Sequence, residues 1–352
     1  MKIICFLSAI LLNVLILAQD YQKVLGDLYN SGKIDEVLIK AKEYIKSDSA
    51  NAQLNLILGR ALVDKGLFSE GLPYLQKVVN NNKNKNWMRA WGMNYLGRIY
   101  LMRGDKSISK QYFIDCINLN ATKNVTRLSK LMLVNLGYDD FYSNFETIES
   151  KHITFHFQPN SVVTNKAEFI DFRENACIKI NNFFDVKIPK KIDFFVWNSN
   201  HDAKQLGLRE LGFAIPQFCI IHSMANQTLG HELTHIISNY ISDKKIETKF
   251  IKEGVAVCFD LSKENKLQIA KKLKETDSVE IKVSIKKAWK DSKAYPEWVY
   301  YSLAGEFVHR LLDRWGKEKL IELLKNQTYE NALSIYGDEL NKIINELENE
   351  IN

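Results

Sequence analysis

His231-Glu232-Leu233-Thr234-His235, continued by Ile236, Ile237 and Tyr240, is followed by Phe250-Ile251-Lys252-Glu253-Gly254-Val255-Ala256, and these two segments decide how the rest of the chain is read. Both have helical apolar spacing, with Ser223 and Asn226 as candidate caps ahead of the first. On a helix the two histidines stand four apart on one face, so both imidazoles reach a single ion. Glu232 is adjacent to the first histidine and can address a water on that ion. Glu253, eighteen residues after His235, is an acid on a second helix. Zinc in a hydrolytic site commonly takes two His and one Glu and keeps one position open. Gly254 and Ala256 are expected to let the Glu253 helix pack closely on the His helix. The bland alternative is an ordinary amphipathic helix with two surface histidines.

Together these residues resemble the gluzincin metallopeptidases, over roughly residues 145–350. The resemblance implies one Zn2+ per chain held by His231, His235 and Glu253, with Glu232 as general base. A further helix opens at Glu297-Trp298-Val299-Tyr300-Tyr301-Ser302-Leu303-Ala304 and runs to Trp315-Gly316. In gluzincins a tyrosine near the start of this helix, followed by a small residue three positions on, hydrogen-bonds the developing oxyanion. Tyr301, with Ala304 after it, is the matching position, and Tyr300 is the runner-up. The implied reaction is peptide-bond hydrolysis by an activated water, without a covalent intermediate. Related aminopeptidases carry an acid in the stretch before the metal helix that holds the substrate's amino group. Gly212-Phe213-Ala214-Ile215-Pro216-Gln217 has none, which favours an endopeptidase, or a peptidase of very narrow substrate range.

Upstream of the metal-ligating pattern, Ile153, Phe155 and Phe157 alternate with His152, Thr154 and His156, a strand periodicity that sets a domain boundary near residue 145. A helix is predicted over 163–184, a strand over Ile192–Trp197, and an edge strand over Phe213–His222 interrupted by Pro216. That edge could pair an extended peptide. Residues 145–352 therefore read as a mainly helical domain with a small mixed sheet, and the chain as α+β.

Residues 19–144 read differently. Gly32, Gly66 and Gly104 recur at spacings of 34 and 38, each closing one apolar-periodic segment and opening another. Leu58-Gly59, Leu62, Gly66 and Leu75 correspond to Leu96-Gly97, Tyr100, Gly104 and Phe113, with a weaker copy at Val24-Leu25, Leu28, Gly32 and Ala41. These residues resemble the tetratricopeptide pattern, an all-α repeat that implies a face for a protein partner; the equal alternative is a plain helical domain that packs on its neighbour and binds nothing else. A competing class for the whole chain is a binding or assembly protein in which the repeats recruit that partner and the peptidase scaffold turns over little.

The remaining readings concern address and charge. Met1-Lys2 and the apolar run Ile3–Ala18 have the form of an export signal cleaved after Ala18, too short for a stable span, so an exported protein is expected. Net charge is +6, from 48 Lys+Arg against 42 Asp+Glu, mixed along the chain without a basic block, so no nucleic-acid partner is expected. Cys116, Cys177, Cys219 and Cys258 are too few and scattered for a disulfide framework and read as buried thiols. His152 and His156 are four apart, too far on a strand to share an ion, and His222 is placed at the border of the cleft. The Lys-rich segment 263–293 reads as a solvated helical face.

Overall fold

The computed structural model describes residues 21, 23–208, 210–242, 246–276 and 282–352, so the expected export leader, residues 1–18, lies outside the described residues. The protein is α+β, mainly helical with one five-stranded mixed sheet. It divides into two compact units between Tyr142 and Ser143. Among the described residues no helix is long and apolar enough to cross a membrane.

The unit ending at Tyr142 is all helical. After helical residues 23–30 come α1 (Ile34–Ser47), α2 (Ala52–Asp64), α3 (Phe68–Asn80), α4 (Asn86–Met102), α5 (Lys106–Leu119) and α6 (Lys123–Asn135). Gly32, Gly66 and Gly104 sit in the turns at φ +72°, +77° and +85°, a region in which only glycine is unstrained. Gly59 and Gly97 have another reason. A Cβ at Gly59 would lie 2.7 Å from Leu75 Cγ, and one at Gly97 would lie 2.7 Å from Phe113 Cζ, so each glycine admits the large side chain of the paired helix.

In the second unit the sheet runs β1 (Glu146–Glu149), β2 (Ile153–Phe157), β3 (Ile192–Trp197), β5 (Ile220–Met224), β4 (Phe213–Ile215) in spatial order. The β2–β3 and β3–β5 pairs are parallel, whereas both edge pairs are antiparallel. The segment Phe213–His222 is therefore a hairpin and not one strand. Pro216 opens the 3-10 turn Pro216–Phe218, and Cys219, at φ +53°, reverses the chain into β5. The alternating residues Ile153–Phe157 form β2, and a strand the alternation does not cover, β1, pairs with it antiparallel.

Alternation gives the sheet two unlike faces. Phe155, Phe194 and Ile221 are cross-strand neighbours on the face that packs on α7 (Lys166–Phe184) and α9 (His231–Ser238). On the other face, His156, Phe195, His222 and Phe213 are paired in register and stack ring on ring, with centroids 4.5, 4.7 and 5.0 Å apart. Following the sheet are α8 (Asn200–Gln205, ahead of β4), α10 (Lys249–Cys258), α11 (Lys266–Thr276), α12 (Ile285–Lys290), α13 (Glu297–Lys325), α14 (Tyr329–Tyr336) and α15 (Glu339–Ile351). Helix α13 is broken at Gly316, where φ is +77°.

Glu174 of α7 ties the helix to the turn between β1 and β2. Its carboxylate accepts from Ser150 Oγ at 2.6 Å and from the His152 backbone N–H at 3.2 Å, and it pairs with His152 Nδ1. Burial raises its pKa, but the hydrogen bonds from Ser150 and His152 outweigh burial and hold it below the ordinary carboxylate range. The stabilisation is therefore present above the unfolded-state value of about 4.3 and is lost as pH falls through the lower folded-state value. Glu174→Ala should cost about 1–3 kcal/mol, because it removes the carboxylate that Ser150 Oγ, the His152 N–H and His152 Nδ1 share. Urea denaturation at pH 7 checks this, and repeating it at pH 3 should show a smaller difference.

Candidate metal centre

Helix α9 has only eight residues, fewer than an isolated helix needs to persist in water. Its position comes from packing: Leu233, Ile236 and Ile237 are fully buried in the core under the sheet, each worth about 1.5–3 kcal/mol. Gly230 is its N-cap, so neither Ser223, which lies in β5, nor Asn226 caps it. The Gly230 N–H donates to the Asp260 carbonyl at 3.0 Å, and a Cβ on Gly230 would overlap the Phe259 carbonyl. The start of α9 is thus fixed against the chain leaving α10. At the other end of α10, the Thr248 side chain caps the helix, accepting from Ile251 N, while the Thr248 N–H donates to Gln327 Oε1 at 2.9 Å.

Gly254 faces α13 and not the His helix: a Cβ there would lie 2.6 Å from the Ala304 carbonyl oxygen. Gly305 returns the contact, since its Cβ would run into Val257. Gly254 therefore lets α13, the helix that carries Tyr301, pack closely on α10.

These contacts gather His231, His235 and Glu253. One nitrogen or oxygen from each lies within 4.8 Å of the others. His235 Nε2 is 3.2 Å and His231 Nε2 is 3.5 Å from the same oxygen, Glu253 Oε2. The two imidazoles meet edge to face at 4.8 Å. Burial alone would raise the Glu253 carboxyl, but hydrogen bonds from His231 and His235 and the charges on both rings hold it well below the usual carboxylate range. Burial disfavours a charged His231, yet Glu253, Glu232 and Asp260 lift its pKa above the ordinary histidine value. The pocket favours positive charge.

Two buried atoms there lack a hydrogen-bond partner among the described residues: Glu232 Oε2 and His235 Nδ1. Buried polar atoms are ordinarily satisfied, so an orphaned carboxylate oxygen beside three converging ligand atoms is what a site built around an ion and its water leaves when those are not counted. Two imidazoles and a carboxylate are also the donor set zinc takes in hydrolytic sites. The residues fit the metal.

An open cleft of about 420 Å³ leads to these groups. One wall is the edge strand and its approach, Leu211, Gly212, Phe213 and Ala214, with Pro216, and the facing wall includes Lys252, Glu297 and Tyr301. Tyr301 lies 6.2 Å from His231, ring to ring, and its hydroxyl donates to Glu297 at 3.3 Å. Tyr300 is buried in the core and is not part of the cleft wall. His222 is also absent from that wall; it is fully buried in the ring stack and accepts from Trp197 Nε1 at 3.1 Å. His156 is held by Asp193 and Thr147, and His152 by Glu174, so neither approaches the centre. All four cysteines of the described residues are free.

Sequence reasoning missed Glu210 and Glu297 as cleft residues, and Asp260 as the residue that anchors α9. Glu210 stands just outside the acid-free stretch before the metal helix, and only the approach to β4 brings it to the mouth. No protein-family model matches the chain, and no curated protein matches it.

Gly230→Ala should lower stability by about 1–3 kcal/mol through overpacking against Phe259 and should weaken metal retention. Thermal melts with and without added zinc check both: the zinc-induced rise in melting temperature should be smaller in the variant.

Proposed function

We propose that this protein is a zinc-dependent metallopeptidase, acting as an endopeptidase. The observation that carries the reading is the convergence of His231, His235 and Glu253 beside the orphaned Glu232 carboxylate, in a cleft walled by a sheet edge. Zinc held by the three side chains supplies, when bound, Lewis-acid polarisation of a carbonyl and a water acidified to a pKa of about 7. Glu232 takes the proton from the attacking water and returns it to the departing amine nitrogen. Tyr301 donates its hydroxyl proton in a hydrogen bond to the carbonyl oxygen as charge grows there, exchanging its present bond to Glu297. Burial first, then Glu253 and Glu297, push the Tyr301 pKa upward, so the hydroxyl remains a donor at neutral pH. The three-residue edge strand beside the centre suits an extended substrate backbone added as a further strand.

Export through the leader at residues 1–18 belongs to the same proposal, as does a tetratricopeptide-like nature for the helical unit. The second class, a binding protein, is favoured by one observation in that unit. The Arg60 guanidinium lies 4.5, 4.2 and 5.1 Å from the ring centroids of Tyr29, Trp91 and Tyr95, with Nε buried and without a hydrogen-bond partner among the described residues.

Elemental mass spectrometry should find one zinc per chain in the wild type and less in Glu253→Ala. Glu232→Gln should keep the metal and lose about a thousandfold in kcat, whereas Tyr301→Phe should lose about ten- to a hundredfold. Full activity in Glu232→Gln would end the general-base assignment. N-blocked peptides should be cut at least as fast as free-amino ones, and the reverse preference would move the assignment to an aminopeptidase with Glu210 as the candidate amine ligand. A protein that acts by binding alone would lose its partner in Arg60→Ala and be indifferent to Glu232→Gln.

A further inference from the structure

Strand β4 carries the cleft wall but has three residues, too few for its own ladder to fix where it lies. Gln227, in the loop between β5 and α9, is not among the residues lining the cleft, yet its side chain makes three hydrogen bonds. Its Oε1 accepts from Ser223 Oγ at 2.7 Å and from the Met224 N–H at 2.9 Å, both at the end of β5. Its Nε2 donates to the Leu211 carbonyl at 2.9 Å, at the start of the cleft wall. Gly212, next to Leu211, has φ +90°, and a Cβ there would overlap the Gln227 amide, so the glycine is required by backbone angle and by this contact together. Gly212 N–H donates in turn to the His222 carbonyl at 3.0 Å.

The backbone of the loop is itself held from below. Arg173 of α7, buried and lying 3.5 Å from the centroid of the Phe169 ring, donates through Nη2 to the carbonyls of Ala225 at 3.1 Å and Gln227 at 3.4 Å. Three residues beyond Gln227 the same loop reaches Gly230, anchored to Asp260, and then His231. One loop therefore places both halves of the centre: its backbone leads into the ligand helix, and the Gln227 side chain reaches across to the strand that flanks the cleft.

We infer that Gln227 is a positioning residue that sets the separation between the edge strand and the metal-ligating helix, and through it the seating of the substrate backbone. The inference rests on the peptidase reading for its substrate and on the hydrogen bonds alone for its structural content. Loss of the Leu211 bond should loosen residues 211–215 and leave His231, His235 and Glu253 in place. It should appear in KM and not in metal binding, with a change of about tenfold, the size of one hydrogen bond.

Gln227→Met, which keeps length without the amide, and Gln227→Glu, which keeps the acceptor but sets an oxygen against the Leu211 carbonyl, test this in the full-length chain. Amide hydrogen exchange over 211–215 should quicken about tenfold in both variants, with 231–238 unchanged and one zinc retained per chain. With an N-blocked peptide KM should rise about tenfold while kcat stays within threefold. Unaltered exchange and KM in Gln227→Met would overturn the inference, as would loss of zinc in step with the rise in KM. If Gln227→Met fails to fold and Gln227→Glu matches the wild type, Gln227 merely holds its own loop, and the inference is likewise overturned. A wild type that cleaves no peptide removes the peptidase reading, and the exchange measurement then decides the structural claim alone.

Discussion

A carboxylate, Glu253, is held against two imidazoles with little exposure to water, and much of the second unit supports that arrangement. A charge removed from water is tolerated only with close, well-directed partners, and leaving one unpaired costs several kcal/mol. His231 and His235 meet that requirement only while α9 and α10 hold their spacing. That spacing depends on a contact no side chain could make, Gly230 lying where a Cβ would strike the Phe259 carbonyl, while α10 is in turn held against α13, where Gly254 lies against the Ala304 carbonyl. Backbone touching backbone leaves little room for the helices to adjust. These backbone contacts limit where His231, His235 and Glu253 can lie.

Two of the elements that form the site are short. Helix α9 has eight residues and β4 has three, and each owes its place to longer neighbours. The buried side of α9 anchors it to the sheet core, while the loop at Ala225–Gly230 ties its start to Arg173 below and Asp260 behind. Function concentrated on short elements needs support of this kind, since side chains on a helix or strand hold geometry only as well as the shell behind them.

Much of this was legible in the sequence, for a physical reason: the chemistry is local. Two histidines four apart on a helix share a face whatever surrounds them, and an acid on the next helix is within reach of them. Alternation at Ile153–Phe157 likewise reports burial directly, and the mainly apolar run Ile192–Trp197 reports a strand buried on both faces. What escaped depended on residues far apart in the chain. Phe213–His222 reads as one apolar strand because nothing in its composition announces the left-handed backbone at Cys219 that turns it into a hairpin. Ser223 looked like a helix cap, being a polar residue ahead of a helix, but it is a member of β5. Gly254 was visible as a close-approach residue, but not the helix it approaches. Glu210, Gln227 and Asp260 are ordinary polar residues until the fold brings their partners near.

The stack of His156, Phe195, His222 and Phe213 adds a constraint on how this sequence can change length. Four strands contribute one ring each, and the last ring, Phe213, is also part of the cleft wall. Because strand side chains alternate, loss or gain of a single residue within β3, β4 or β5 would turn that strand's ring toward the helical core. The stack would break, and the core would receive an unmatched aromatic. Indels of one residue are therefore barred from these strands, whereas the turn at Pro216–Cys219 and the approach to Leu211 can vary in length as long as the rings stay in register. Divergent forms of this chain should carry their length differences there, at the two ends of the strand that borders the cleft.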